Sequence, residues 1–126
     1  MSREAWGTSM LHDKTILLVD DQALIVLELA TTLEDAGADV VTFGNAPEAL
    51  AWLQATTPSA AVLDYRVGAD TSASIAKTLS ERGVPVLFYS GMVDLAHLPD
   101  ELLAHEWLNK PSSPEDLIAR LQALTA

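Results

Sequence analysis

The chain alternates, five times over, between a short apolar run and a longer stretch whose apolar residues recur at helical spacing. The runs are Thr15–Val19, Asp39–Phe43, Ala60–Tyr65, Pro85–Tyr89 and Glu106–Asn109. Each has the length of a strand and is bounded by turn residues. A helix is predicted from about Gln22 to Ala36, closed by Gly37, with Val26, Leu29, Ala30 and Leu33 facing the core. Ala46-Pro47-Glu48 opens a second helix, with Ala49, Leu50 and Leu53 inward. A weaker pattern from about Thr71 to Arg82 uses Ile75, Ala76 and Leu79 and stops at Gly83. Ser113-Pro114-Glu115-Asp116 is a strong helix start, and Leu117, Ile118, Leu121 and Leu124 complete that helix's apolar face. Met92–His105 is interrupted by Pro99 and is expected to be a short or irregular helix. Strand followed by helix, repeated, requires parallel strands joined by right-handed crossovers with helices on both faces, an α/β doubly wound fold.

A length of 126 residues suits one domain, and 49% apolar residues suffice for a full core. Residues 1–13 are expected to be a flexible lead-in to a folded unit at 14–126. The absence of cysteine excludes disulfides and thiolate metal sites. The net charge is −11, from 18 acids and 7 bases. That excess argues against nucleic acid, whose phosphates need a basic face, and against anionic membranes. No run is long enough to span a bilayer, and the N-terminus lacks a signal peptide's apolar region. A cytoplasmic protein that binds cations or docks on proteins is expected.

The residues with chemical potential fall at the carboxyl ends of the strand runs. They are Asp20-Asp21 after the first, Asp64 within the end of the third, Ser90 after the fourth and Lys110 after the fifth. Ligands of open parallel sheets bind outside that edge. Three carboxylates and one ammonium leave surplus negative charge, which a hard divalent cation with oxygen ligands resolves; Mg²⁺ fits. A metal, a positive clamp and an in-line carboxylate are the parts phosphoryl transfer needs, with Asp64 as the nucleophile forming an acyl phosphate. Each residue also has a plainer reading. Asp20-Asp21 can be a solvated strand end with Asp21 capping the next helix, Lys110 a surface lysine, Ser90 a turn residue, and Arg66 a surface charge.

Together, Ile16-Leu17-Leu18-Val19-Asp20-Asp21, the Asp64 strand, Ser90-Gly91 and Lys110-Pro111 resemble the receiver domain of the two-component response-regulator family, in its stand-alone, single-domain form. The likeness extends from about Lys14 to Ala126. It implies a flavodoxin-like (βα)5 fold with a five-stranded parallel sheet in the order 2-1-3-4-5. It implies that Asp64 accepts a phosphoryl group from a sensor histidine kinase or phosphotransfer protein. Asp21, Asp64 and the backbone carbonyl of Arg66 would ligate Mg²⁺ directly, and Asp20 mostly through water. Lys110 would pair with the phosphoryl group, Ser90 would be the switch hydroxyl, and the Lys110-Pro111 bond would be cis. Such a protein is a phosphoacceptor that assists its own phosphotransfer and dephosphorylation rather than an enzyme. It would act through a downstream protein or as a phosphate sink, without nucleic acid or membrane.

The chain also departs from that pattern. The stretch after Asp64 reads Val67-Gly68-Ala69-Asp70-Thr71-Ser72 where a Pro-Gly-Met-Asp-Gly type is usual, and Arg66–Asp70 is expected to be a loop. The switch aromatic falls on Trp107, where Tyr or Phe is commoner, and Pro85–Gly91 is similar to an aromatic-rich strand-four motif of a subfamily of stand-alone receivers, which makes Tyr89 a candidate to share its role. Met92 stands where the family gates water. Leu24 and Leu27 are expected to be exposed and suit docking of a partner helix, while His12, His97 and His105 are expected at the surface. Two other functions compete: a pseudo-receiver that binds partners without phosphorylation, and an aspartyl-nucleophile phosphatase. The latter typically carries two aspartates separated by one residue, whereas Asp20 and Asp21 are adjacent.

Overall fold

The computed structural model describes residues 11–91 and 95–126. The strands of the main sheet are β1 (Thr15–Val19), β2 (Asp39–Phe43), β3 (Ala60–Leu63), β6 (Val86–Ser90) and β7 (Glu106–Asn109). All pair in parallel, in the order β2-β1-β3-β6-β7. Counting these strands alone, the order is the expected 2-1-3-4-5. Helices α1 (Ala23–Asp35), α2 (Ala46–Leu53), α3 (Ala73–Glu81) and α4 (Asp100–Leu103) lie in the four crossovers, and α5 (Pro114–Leu124) follows the last strand.

The alternation of side chains along each strand divides the core in two. Leu17, Val19, Ala61, Leu63, Val86 and Phe88 face α2, α3 and α4, meeting Leu53, Ile75, Leu79 and Leu102. Ile16, Leu18, Val62, Leu87 and Tyr89 face α1 and α5, meeting Leu29, Leu33, Leu117 and Leu121. Burial on both sides is why β1, β3 and β6 read as continuous apolar runs. Leu24 and Leu27 of α1 point away from this packing, with 77% and 64% of their surface exposed.

Helix starts follow local chemistry. The Asn45 side chain accepts the Glu48 N–H at 2.9 Å and opens α2, with Pro47 in its first turn. Ser113 does the same for α5, accepting the Asp116 N–H at 3.1 Å. No side chain caps α1.

The structure corrects the sequence reading at four places. Residues 66–71 are not a loop: β4 (Arg66–Val67) and β5 (Asp70–Thr71) form a small antiparallel hairpin, and α3 begins at Ala73 rather than near Thr71. Its turn places Gly68 at φ 66°, a left-handed position that a two-residue II′ turn requires and other residues resist. His105 is half-buried, not at the surface: its ring meets the Phe88 ring edge-on at 5.6 Å. Leu11 is fully buried, and its N–H donates to the Ala36 carbonyl, so the packed body begins before Lys14. The β3 ladder ends at Leu63, leaving Asp64 just past the strand. Within the irregular segment, a 3-10 turn at Leu95–His97 precedes the one-turn α4. Trp6 and Met92 lie outside the described residues.

Candidate functional site

The sheet delivers four strand ends to one edge, and Asp64 sits between them. Its backbone N–H donates to the Val19 carbonyl at 2.9 Å, which continues the β1–β3 ladder one residue past the strand. One carboxylate oxygen, Oδ1, accepts the Ser90 hydroxyl at 2.7 Å. The other, Oδ2, accepts from the Lys110 ammonium at 2.9 Å. Lys110 also donates to Oδ2 of Asp20 at 2.7 Å. The backbone brings it there, because the Lys110 N–H bonds the Ser90 carbonyl at 2.9 Å and so extends the β6–β7 pairing. The Lys110-Pro111 bond is cis, as the resemblance implied.

Asp20 is 2% exposed and both its oxygens are engaged: Oδ1 accepts the Gln22 N–H at 2.9 Å. Asp21 is exposed at the strand end and does not cap α1. Its Oδ2 instead accepts the Gly68 N–H at 2.8 Å, across 47 residues of chain.

Asp20, Asp21 and Asp64 each offer an oxygen within 4.8 Å of the others. Against these three carboxylates stands, among the described residues, a single ammonium, that of Lys110. Burial works to lower the Lys110 pKa, but the hydrogen bonds and charges of Asp20 and Asp64 outweigh it, and the net direction is up. Lys110 is therefore firmly charged, and the cluster retains negative charge. An oxygen-only set with one exposed carboxylate suits a hard divalent cation that keeps several waters, so the residues present fit Mg²⁺. The hairpin also bears on the Arg66 carbonyl, which the resemblance implies as a further ligand. The Ser72 N–H bonds the Tyr65 carbonyl at 2.8 Å, which makes Arg66–Thr71 a non-hydrogen-bonded pair. The Arg66 carbonyl is thus turned away from the opposite strand.

The aromatic residues do not form one unit. Trp107 lies on the α3 side of the sheet, stacked on Phe88 at 4.4 Å between centroids. Its Nε1–H donates to the Leu102 carbonyl at 2.9 Å. Tyr65, next to Asp64, touches the Trp107 ring at 5.9 Å. Tyr89 packs on the opposite face, where its hydroxyl accepts the Ser112 N–H at 3.0 Å and its ring lies 5.8 Å from the Lys110 ammonium. Sequence reasoning missed Ser72, Gly68 and Tyr65. Ser72 falls within the stretch read as helix from about Thr71, where a small polar residue draws no notice. Tyr65 reads as the last residue of an apolar run.

A shallow groove runs between α1 and the chain entering α5, lined by Leu27, Glu28, Thr31, Pro111, Ser113 and Pro114. Exposed Leu27 stands on its wall. Among the described residues no helix is long and apolar enough to cross a membrane.

Comparison with known proteins agrees with this geometry. The chain is 32% identical over 117 residues to the probable transcriptional regulator ycf27 of Cyanophora paradoxa, covering 90% of this chain and 49% of that protein. It is 32% identical over 116 residues to the alkaline phosphatase synthesis transcriptional regulatory protein PhoP of Bacillus subtilis, covering 89% and 48%. The chain thus spans about half the length of these curated relatives. Among solved structures, the Francisella response regulator 1452 receiver domain superposes with a TM-score of 0.76 at 24% identity, covering 90% of this chain and 97% of that one. A CheY-like receiver domain protein from Methanospirillum hungatei gives 0.79 at 24% identity, covering 87% and 91%. Residues 16–122 match the response regulator receiver domain, and with the five-stranded order and the acidic edge in place, the chain belongs to that family.

Proposed function

We propose that the protein is a single-domain response regulator that accepts a phosphoryl group on Asp64 from a histidine kinase or phosphotransfer protein. The observation that carries this is the seat of the Asp64 carboxylate, between the Ser90 hydroxyl at 2.7 Å and the Lys110 ammonium at 2.9 Å. An Asp64 oxygen attacks phosphorus, the bond from phosphorus to the donor imidazole breaks, and the departing nitrogen recovers a proton. Lys110 moves its charge from the carboxylates to the incoming phosphoryl oxygens, and the Ser90 hydroxyl turns to donate to one of them. Asp21, Asp64 and the Arg66 carbonyl would hold Mg²⁺, with Asp20 reaching it through water. When bound, the ion neutralises charge on the phosphoryl oxygens.

The phosphorylated form favours a different arrangement of Ser90 and the aromatic side chains, a population shift that partners read by contact. Output passes through a downstream protein, or the protein serves as a phosphate sink. Leu24 and Leu27 beside the groove supply apolar area for the donor's helices.

Incubation with acetyl phosphate and Mg²⁺, followed by intact mass, tests the reading. The expected result is one added phosphoryl group, absent in Asp64→Asn. No addition, under conditions that modify a control receiver, overturns it. A pseudo-receiver is favoured by one observation, the double hold on Trp107 by Phe88 and Leu102. Partner binding unchanged in Asp64→Asn would support that second reading.

A further inference from the structure

Ser72 is fully buried and precedes the first residue of α3, where a serine ordinarily accepts a helix N–H. Here its side chain accepts none. The hydroxyl donates instead to the Asp64 carbonyl at 2.7 Å, with a longer approach of 3.4 Å to the Tyr65 carbonyl. Thr71 Oγ1 meets the Ala73 N–H at 3.4 Å in its place. With this bond, the N–H, the carbonyl and both carboxylate oxygens of Asp64 each have a partner: Val19, Ser72, Ser90 and Lys110.

The same residue closes the hairpin, since its own N–H bonds the Tyr65 carbonyl at 2.8 Å. At the far end of the hairpin, Gly68 donates to Asp21 at 2.8 Å. The hairpin is thus tied to Asp64 at its base and to Asp21 at its tip. Side chains that orient metal ligands from behind are a recurrent part of metal sites.

We propose that Ser72 is a positioning residue for the cation site: its buried hydroxyl fixes the Asp64 main chain and the hairpin, and the hairpin aims Asp21. The inference rests on the proposed binding of Mg²⁺ at Asp21 and Asp64. It extends that reading to a residue that touches neither ion nor phosphoryl group. With Ser72 truncated, the base of the hairpin loosens, the Gly68 contact weakens, and Asp21 must be ordered when the ion binds. Affinity for the ion falls, while chemistry at saturating ion is retained.

Calorimetric titration of the full chain with MgCl₂ tests this, for wild type, Ser72→Ala and Ser72→Thr. Ser72→Ala should weaken Mg²⁺ binding about tenfold. Its acetyl phosphate reaction should slow at low Mg²⁺ and recover to within about twofold of wild type at saturation. Ser72→Thr, which keeps the donor, should bind more tightly than Ser72→Ala. Ile75→Val, which loosens α3 but leaves the Ser72 hydroxyl in place, should leave affinity unchanged. Wild-type affinity in Ser72→Ala overturns the proposal, as does equal weakening in Ile75→Val. A wild type that binds no Mg²⁺ overturns the underlying cation reading as well, so the two failures are distinguishable.

Discussion

Trp107 lies almost flat on Phe88, with 18° between the ring planes and 4.4 Å between centroids. The indole is also tethered by its N–H to the Leu102 carbonyl at 2.9 Å. Rotation of this side chain must break both contacts, so its resting position is well defined. Phe88 is the centre of the arrangement, because Tyr65 and His105 also meet its ring edge-on.

Phe88→Ala should lower the unfolding free energy by about 3–5 kcal/mol, since it empties a fully buried site and unseats Trp107. Phe88→Leu should cost less and keep the fold. Urea unfolding measures the loss, and Trp107 emission, isolated by Trp6→Phe and Trp52→Phe, should shift to the red in both variants. Unchanged emission would contradict the packing described.

Lys110→Met removes the counterion shared by Asp20 and Asp64. Breaking such an ion pair costs about 3–5 kcal/mol, because the remaining charges stay buried without compensation. Asp20 and Lys110 expose 2% and 13% of their side chains, so screening by water is limited. Mg²⁺ should restore part of the loss. The rise in melting temperature between EDTA and Mg²⁺ should be larger in Lys110→Met than in wild type. An equal rise would place the ion away from these carboxylates.

His105 gives stability a pH dependence. Burial lowers its pKa, so the folded protein holds the imidazole proton less readily than the unfolded chain, whose value is 6.5. Stability from this source is complete above that pH. It falls as the pH drops through the window between 6.5 and the lower folded value. His105→Gln should remove that component. Urea midpoints taken from about pH 7.5 down to about pH 5.5 should fall more steeply for wild type than for the variant. Parallel curves would show that the ring is solvated alike in both states.

Leu24→Gln and Leu27→Gln should change stability by no more than about 0.5 kcal/mol, because both side chains are already in water. If these residues receive the phosphodonor's helices, transfer from a histidine-phosphorylated protein should slow while the reaction with acetyl phosphate is unaffected. Equal rates with both donors in the variants would remove α1 from the docking surface.

The fold and the corners of the site were legible because each depends on short-range pattern. Five apolar runs, of which the three central ones are buried on both faces, announce a parallel sheet, and the chemical residues stand where those runs stop. The hairpin was not legible. Its strands are two residues each, too short for any period, and only Gly68 hints at the turn. His105 eluded the sequence for another reason. Its burial is created by Phe88 from a strand and Ser80 from α3, 25 residues away. Ser72 was hidden by its address, since the helix pattern begins at about Thr71 in the sequence and puts it in the first turn, where a serine needs no tertiary partner.

Phe88 and Tyr89 are neighbours on β6 that face opposite layers, and the strand ends at Ser90, whose hydroxyl holds Asp64. A displacement of that strand tip is therefore broadcast in two directions. On one side it travels by Phe88 to Trp107 and His105. On the other it travels by the Tyr89 hydroxyl to Ser112 and the entrance of α5. If Asp64 takes a phosphoryl group as proposed, two listeners can follow that one event without competing for the same surface, and a substitution confined to one layer would deafen one of them and leave the other informed.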